Sequence, residues 1–494
     1  MDNFGFWSLL PPIAAIFLAI KTRQVFVSLT AGIWFGWIII SNGNIITGTF
    51  STIQAIVDVF KDSGNTRTIL FTGFIGGLIA LIQSSGGVEG FVKKINLRLI
   101  KIEKEKSGRS KTIVQLFAAL SGMMLFVESS ISVLTVGTVF RPIFDKLKIP
   151  REKLAFIADS ISAPTCILIP LNAWGAYIMG LLAAQQFSNP FQTLLHAFPF
   201  NFYPMFALLI VFIIIIFKKD FGPMKAAEER AAKEGKVLRD GAEPLLSAEI
   251  TKLETKENIT PSAKNMLIPL AVMVLMMPVM LIYTGWENVE NISRLPFHLQ
   301  VFEAIGQASG SSSVLYSVLI ALTVSIVMFS IQKIFTIKES VDLILKGISG
   351  LIPMAILMIL AFAIGNVCRE LGTGNYTAEI TKAWLSPHFV PFIIFITAAF
   401  ISFSTGTSWG TFAIMIAIGI PIAQTIGADI SLTIAAVLGG GVFGDHCSPI
   451  SDTTIIASMA SASDHIDHVK TQLPYALTAG LITAVLYLIL GFIV

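Results

Sequence analysis

Apolar runs long enough to enter a bilayer recur along the whole chain, separated by short polar or basic stretches. In the first half they cover Leu9–Ile20, Gln24–Ile40, Thr68–Gln83, Thr112–Phe126, Ile131–Ile143, Leu154–Met179 and Phe202–Phe217. Thr47–Phe60 is more mixed and reads as an interfacial helix. In the second half the runs are Met266–Tyr283, Ser313–Ile331, Leu351–Cys368, Phe389–Phe403, Trp409–Ile422, Leu432–Gly444, Ile450–Ala460 and Pro474–Ile493. Several fall short of the ~20 residues that cross a bilayer as a helix. Short runs beside glycine, proline and polar breaks predict half-helices or re-entrant hairpins. The pattern predicts an all-α polytopic membrane protein of roughly 11–14 apolar segments.

Composition agrees. Of 494 residues, 54% are hydrophobic and only 13% charged, about half the charged share of a soluble domain. The net charge of +3 is too small to argue for a nucleic-acid partner, and none is expected. Between Lys93 and Lys111, eight Lys and Arg face two Glu, which marks that loop as cytoplasmic. Counting back three spans puts the N-terminus outside, and MDNFGFW lacks the basic start of a cleavable signal. Residues 218–265 form a charged cytoplasmic linker, read as solvated and partly helical. It divides a first membrane repeat (1–217) from a second (266–494). The three cysteines and six histidines show no metal-ligand spacing, so no cofactor is expected.

The two halves match at similar offsets. LIALIQSSGG from Leu78 aligns with MILAFAIGN from Met358, and FVESSISVLTVGTVFRPI from Phe126 with FSTGTSWGTFAIMIAIGIPI from Phe403. The latter match sets Glu128 against Thr405, and LAFIADSISAP from Leu154 aligns with AAVLGGGVFGDHCSP from Ala435, which sets Asp159 against Asp445. Counted spans give the halves opposite orientations, the inverted-topology repeat of secondary transporters.

The chemistry concentrates in Gly439–Met459, GGGVFGDHCSPISDTTIIASM, and in Phe403–Thr411, FSTGTSWGT. Acids inside apolar spans are costly to bury and mark ion pathways. Asp445 is the first choice for a sodium ligand, with Asp452 and Thr405 beside it and Asp159 next. Ser404, Thr407, Ser408, Ser451 and Thr453 supply neutral oxygens, as does Asn172 in PLNAWG. Glu128 reads as substrate-facing, and His446 as a proton carrier or an organiser of Asp445. Trp174 and Trp409 could stack on an organic solute or simply pack. His465 and His468, with Asp464 and Asp467, read as a solvated turn.

FGDHCSPISDTT (Phe443–Thr454), STGTSWGTF (Ser404–Phe412) and LTVGTVFRPI with REKLAFIADSISAP (Leu134–Pro164) resemble motifs of the NhaC-type sodium/proton antiporter family of bacteria and archaea. The resemblance covers nearly the whole chain outside residues 220–262. Through the wider ion-transporter group to which that family is assigned, it implies paired hairpins with an elevator-like movement. Family exchangers tend to carry a lysine where this chain has His446.

The expected function is secondary active exchange of sodium for protons, across a bacterial or archaeal cytoplasmic membrane. The partners are sodium, protons and membrane lipid. A sodium- or proton-coupled carrier of an amino acid or carboxylate stays open as the alternative, as does a homodimer. No GxxxxGK[ST] loop is present, which sets aside ATP-driven transport by this chain alone. A channel would need a continuous polar pore, and no nucleophile–base set suggests an enzyme.

Overall fold

In the computed structural model each apolar run becomes a helix except Leu154–Met179, which divides into two at its Pro170–Asn172 break. The structure describes residues 4–22, 24–91, 93–94, 110–126, 128–170, 172–187, 189–244, 256, 259–286, 296–373, 376 and 386–494. Most of the basic loop (95–109), part of the linker (245–255, 257–258) and residues 287–295 lie outside them.

The first half comprises α1 (Leu10–Thr22), α2 (Val25–Ile40), α3 (Ile45–Asp58), α4 (Ser63–Ser84), α5 (Ser110–Met124), α6 (Ser129–Lys146), α7 (Arg151–Leu168), α8 (Ala173–Ala184), α9 (Pro190–Ala197) and α10 (Phe202–Phe217). The linker carries α11 (Gly222–Glu234). The second half comprises α12 (Lys264–Trp286), α13 (Phe297–Gly306), α14 (Gly310–Ile331), α15 (Ile337–Gly350), α16 (Ile352–Glu370), α17 (Val390–Thr405), α18 (Ser408–Ile426), α19 (Ile430–Cys447), α20 (Asp452–Ser461) and α21 (His465–Leu490). Nine described helices are long and apolar enough to cross a membrane, or ten if α7 and α8, bent by 46° at their break, count as one span. Apolar side chains such as Leu275, Leu481 and Phe217 point outward, where lipid would cover them. All three cysteines, Cys166, Cys368 and Cys447, are buried.

Helix starts fix the register of the repeat better than residue similarity does. Ser129, Arg151 and Ala173 open α6, α7 and α8, while Ser408, Ile430 and Asp452 open α18, α19 and α20, a constant spacing of 279. This register corrects two pairings. Glu128 corresponds to Thr407 rather than Thr405, and Asp445 corresponds to Cys166 rather than Asp159. The short helix ending each pair packs against the opposite half: α20 lies on α6 and α7, and α8 touches α18.

Within the second half, α17 and α19 are in close contact through small residues. A Cβ on Gly440 or Gly444 would run into the carbonyl of Phe395 or Ala399. Ser402 Oγ donates to Gly441 O (2.6 Å) across the same seam.

The described part of the linker is docked, not solvated. Met224, Ala227 and Ala231 form the buried stripe of α11 against α7 and α21. Arg230 Nη2 donates to both carboxylate oxygens of Glu152 (2.9 and 3.0 Å), and the buried Lys153 pairs with Asp220. Arg239 reaches Asp464 and Asp467 at the start of α21. Small apolar residues among charges give little hydropathy signal, which is why the stripe reads as solvated from sequence.

Candidate functional site

Four helix breaks converge on the polar residues. They lie between α5 and α6 (125–128), α7 and α8 (169–172), α17 and α18 (406–407), and α19 and α20 (448–451). Each repeat ties its two breaks together with a side chain. Asn172 Nδ2 donates to Phe126 O (2.8 Å), and Ser448 Oγ donates to Phe403 O (2.7 Å). Gly406, at φ +68°, turns the chain where a Cβ would meet Ile450 O at 2.5 Å. A break frees carbonyls at one helix end and N–H groups at the other, both at membrane depth.

Asp445 lies in the last turn of α19, buried to 2% exposure. Its Oδ2 accepts from Ser408 Oγ (2.6 Å) at the first position of α18, while Oδ1 has no hydrogen-bond partner. Ser451, the N-cap of α20, lies close enough to act on the same carboxylate, and its hydroxyl meets that of Thr453 (3.1 Å). Asp452 follows at the first position of α20. It is enclosed by protein on most sides yet keeps open surface, and its Oδ1 accepts from Thr453 N (2.7 Å). Glu128, Asp159 and Asp445 are near enough for their charges to act on it or be acted on by it. The carboxylates singled out in the sequence thus lie within electrostatic reach of Asp452.

Asp159 is fully buried in mid-α7. Its Oδ2 accepts from Thr454 Oγ1 (3.0 Å) and Gln472 Nε2 (2.7 Å), with His468 Nε2 at 3.4 Å. His468 is therefore no surface turn: it sits in the first turns of α21, at 0% exposure. His465 holds the fourth break instead, with Nδ1 to Ser458 Oγ (3.0 Å) and Nε2 to Pro449 O (2.7 Å). His446 Nδ1 meets Tyr203 Oη (3.1 Å), the hydroxyl of a residue in α10. Sequence reasoning missed Gln472 and Tyr203. Tyr203 showed only as a polar residue in an otherwise apolar run, and Gln472 lies in the polar stretch just before Pro474 and gave no signal.

The other expected ligands also bond backbone. Asn172 caps α8 through Gly175 N and also donates to Cys166 O, so its amide is spent on backbone. Ser404 and Thr405 donate to Phe400 O and Ile401 O of their own helix, and the Thr407 carbonyl receives Thr411 Oγ1. Trp174 and Trp409 lie against each other with ring centroids 4.9 Å apart, and Tyr177 packs on Trp409 at the same distance. Glu128 borders a small apolar cavity with Gln83, Leu125 and Met266. Among the described residues, no three of His, Cys, Asp and Glu come together as metal ligands. The donor set is one of carboxylate, hydroxyl and carbonyl oxygens, which suits a hard cation.

The sequence of residues 165–492 matches that of the Na+/H+ antiporter family. The chain belongs to that family. An uncharacterised protein of Haemophilus influenzae is 32% identical over 98% of this chain and 91% of its own length. The Na(+)/H(+) antiporter NhaC of Bacillus subtilis is 28% identical over 42% of this chain and 47% of its own. The Malate-2H(+)/Na(+)-lactate antiporter of the same species is 29% identical over 32% and 34%. Among solved structures, the Alcanivorax borkumensis YdaH transporter superposes with a TM-score of 0.53 at 13% identity, covering 90% of this chain and 89% of its own. Neisseria gonorrhoeae MtrF gives 0.51 at 12% identity, covering 90% and 84%. At such identity these two show that this family member shares a transporter fold.

Proposed function

We propose that this multi-pass membrane protein is a secondary transporter that exchanges sodium for protons across a bacterial or archaeal cytoplasmic membrane by alternating access. The N-terminus is external and the docked linker cytoplasmic. Asp445 carries the reading. It is a buried carboxylate at the meeting of two helix breaks, with one oxygen held by Ser408 and the other free of hydrogen-bond partners. The ionised form offers that oxygen to Na+, with Ser451 and Thr453 hydroxyls alongside and Asp452 adding charge. The protonated form covers it with hydrogen, so sodium and proton exclude each other at one site.

Proton movement in proteoliposomes with an internal pH dye tests this. A sodium gradient moves protons with the wild-type protein and not with Asp445→Asn. A flux that starts only after an amino acid or carboxylate is added would replace the reading with solute exchange. Membership beside the malate/lactate antiporter favours that second reading.

A further inference from the structure

Gln472 touches both aspartate-bearing helices with one amide. It lies on α21 at 1% exposure, and its Nε2 donates to Asp159 Oδ2 (2.7 Å) on α7 and to His446 O (2.9 Å) on α19. A primary amide has two N–H bonds, so one group serves both acceptors at once. The residue after the sodium carboxylate is thereby tied to the first repeat's only buried mid-helix aspartate among the described residues.

The second acceptor matters most. His446 O belongs to the last turn of α19, whose carbonyls have no helical N–H ahead of them. The neighbouring Asp445 O is taken by Ser448 N (3.0 Å), which leaves Gln472 to fix the next peptide. That peptide closes the turn of α19 that carries Asp445, so Gln472 anchors this turn to Asp159. Gln472 Oε1, Asp159 Oδ1 and Asp445 Oδ1 are all buried without hydrogen-bond partners, which is unusual for satisfied packing and ordinary beside a small cation.

We infer that Gln472 is the positioning residue that joins the helices of Asp159 and Asp445 into one sodium site, so that sodium affinity depends on it while turnover does not. The inference rests on the exchange reading. Its test therefore has two readouts on the full-length protein: sodium-driven proton flux against sodium concentration, and the sodium-dependent rise in thermal unfolding temperature, which needs no transport. Gln472→Met keeps the volume and removes both donors, while Gln472→Glu keeps the shape and sets a carboxylate against two acceptors. Both variants raise the half-saturating sodium about tenfold in each readout, with the maximal rate within about threefold of wild type. An unchanged sodium midpoint, or a lower maximal rate at an unchanged midpoint, assigns Gln472 to packing and overturns the inference. A shifted thermal midpoint in a protein that moves no protons upholds Gln472 and overturns only the exchange reading. If Gln472→Met does not fold, Gln472→Glu decides by the same criteria.

Discussion

Cys166 stands in the first half where Asp445 stands in the second, each six residues before the N-cap of the half-helix that follows. The fold repeats while the charge does not. Asp159 lies seven residues earlier on its helix than the symmetric position, about 10 Å along the axis at 1.5 Å per residue. It approaches the second repeat from a different depth. One chain therefore builds one carboxylate site of the Asp445 kind. Asp445→Asn is expected to abolish sodium-driven proton flux, whereas Cys166→Ala leaves it within about twofold, since only a small apolar group is lost. Flux in proteoliposomes checks both.

Ser408 gives Asp445 a hydrogen bond of 2.6 Å from the start of α18. Bonds to charged groups contribute about 1.5–3 kcal/mol. Ser408→Ala is expected to raise the sodium concentration for half-maximal flux by roughly 10- to 100-fold on that scale. A titration of flux against sodium reads the change directly.

Gly440 and Gly444 bring α19 against α17. Alanine at either would push a methyl into a carbonyl, and overpacking of this kind costs about 1–3 kcal/mol. Gly444→Ala is expected to lower the thermal unfolding temperature in detergent. Gly43→Ala, at φ +83° with open space around it, costs only the backbone strain of about 1 kcal/mol.

The docked linker should resist acid. Burial works against the ionised Asp464 carboxyl, but the Glu243 and Asp467 N–H groups and Arg239 outweigh it and hold the group below the usual carboxylate range. A depressed folded value means the contribution is complete above the ordinary carboxylate pKa and is lost as pH falls through the lower folded one. Hydrogen exchange at the Glu243 amide, which donates to Asp464, is thus expected to show equal protection between about pH 5 and 8.

The two arginines of that linker are unequal. Arg230 meets a Glu152 side chain only 2% exposed, so Arg230→Ala strands a buried charge at about 3 kcal/mol, the lower end for such pairs because Arg230 itself is partly solvated. Arg239 is 46% exposed, so water screens its pairs with Asp464 and Asp467 and its loss costs little. Loss of protection over the linker in Arg230→Ala alone is the expected result.

Much of this was legible in the sequence because lipid makes hydropathy nearly sufficient for helices, and because acids at membrane depth announce themselves. Asp445, Ser408 and Ser451 could be picked from their motifs. Gln472 and His468 could not. SDHIDHVKTQ reads as a surface turn, and its burial comes from contacts with α7 and a linker more than two hundred residues away in sequence. The repeat was visible, but its register was not. Similar apolar letters align almost anywhere, whereas helix starts depend on caps such as Asn172 and Ser451 that share little as letters.

The burial of all three cysteines leaves the native chain with no thiol among them open to a water-soluble reagent. Single cysteines placed at exposed positions, Gly43 at one turn or Glu229 on α11, would then report by themselves which side of a sealed vesicle they occupy. No engineered blank background is needed before asking which way this protein sits.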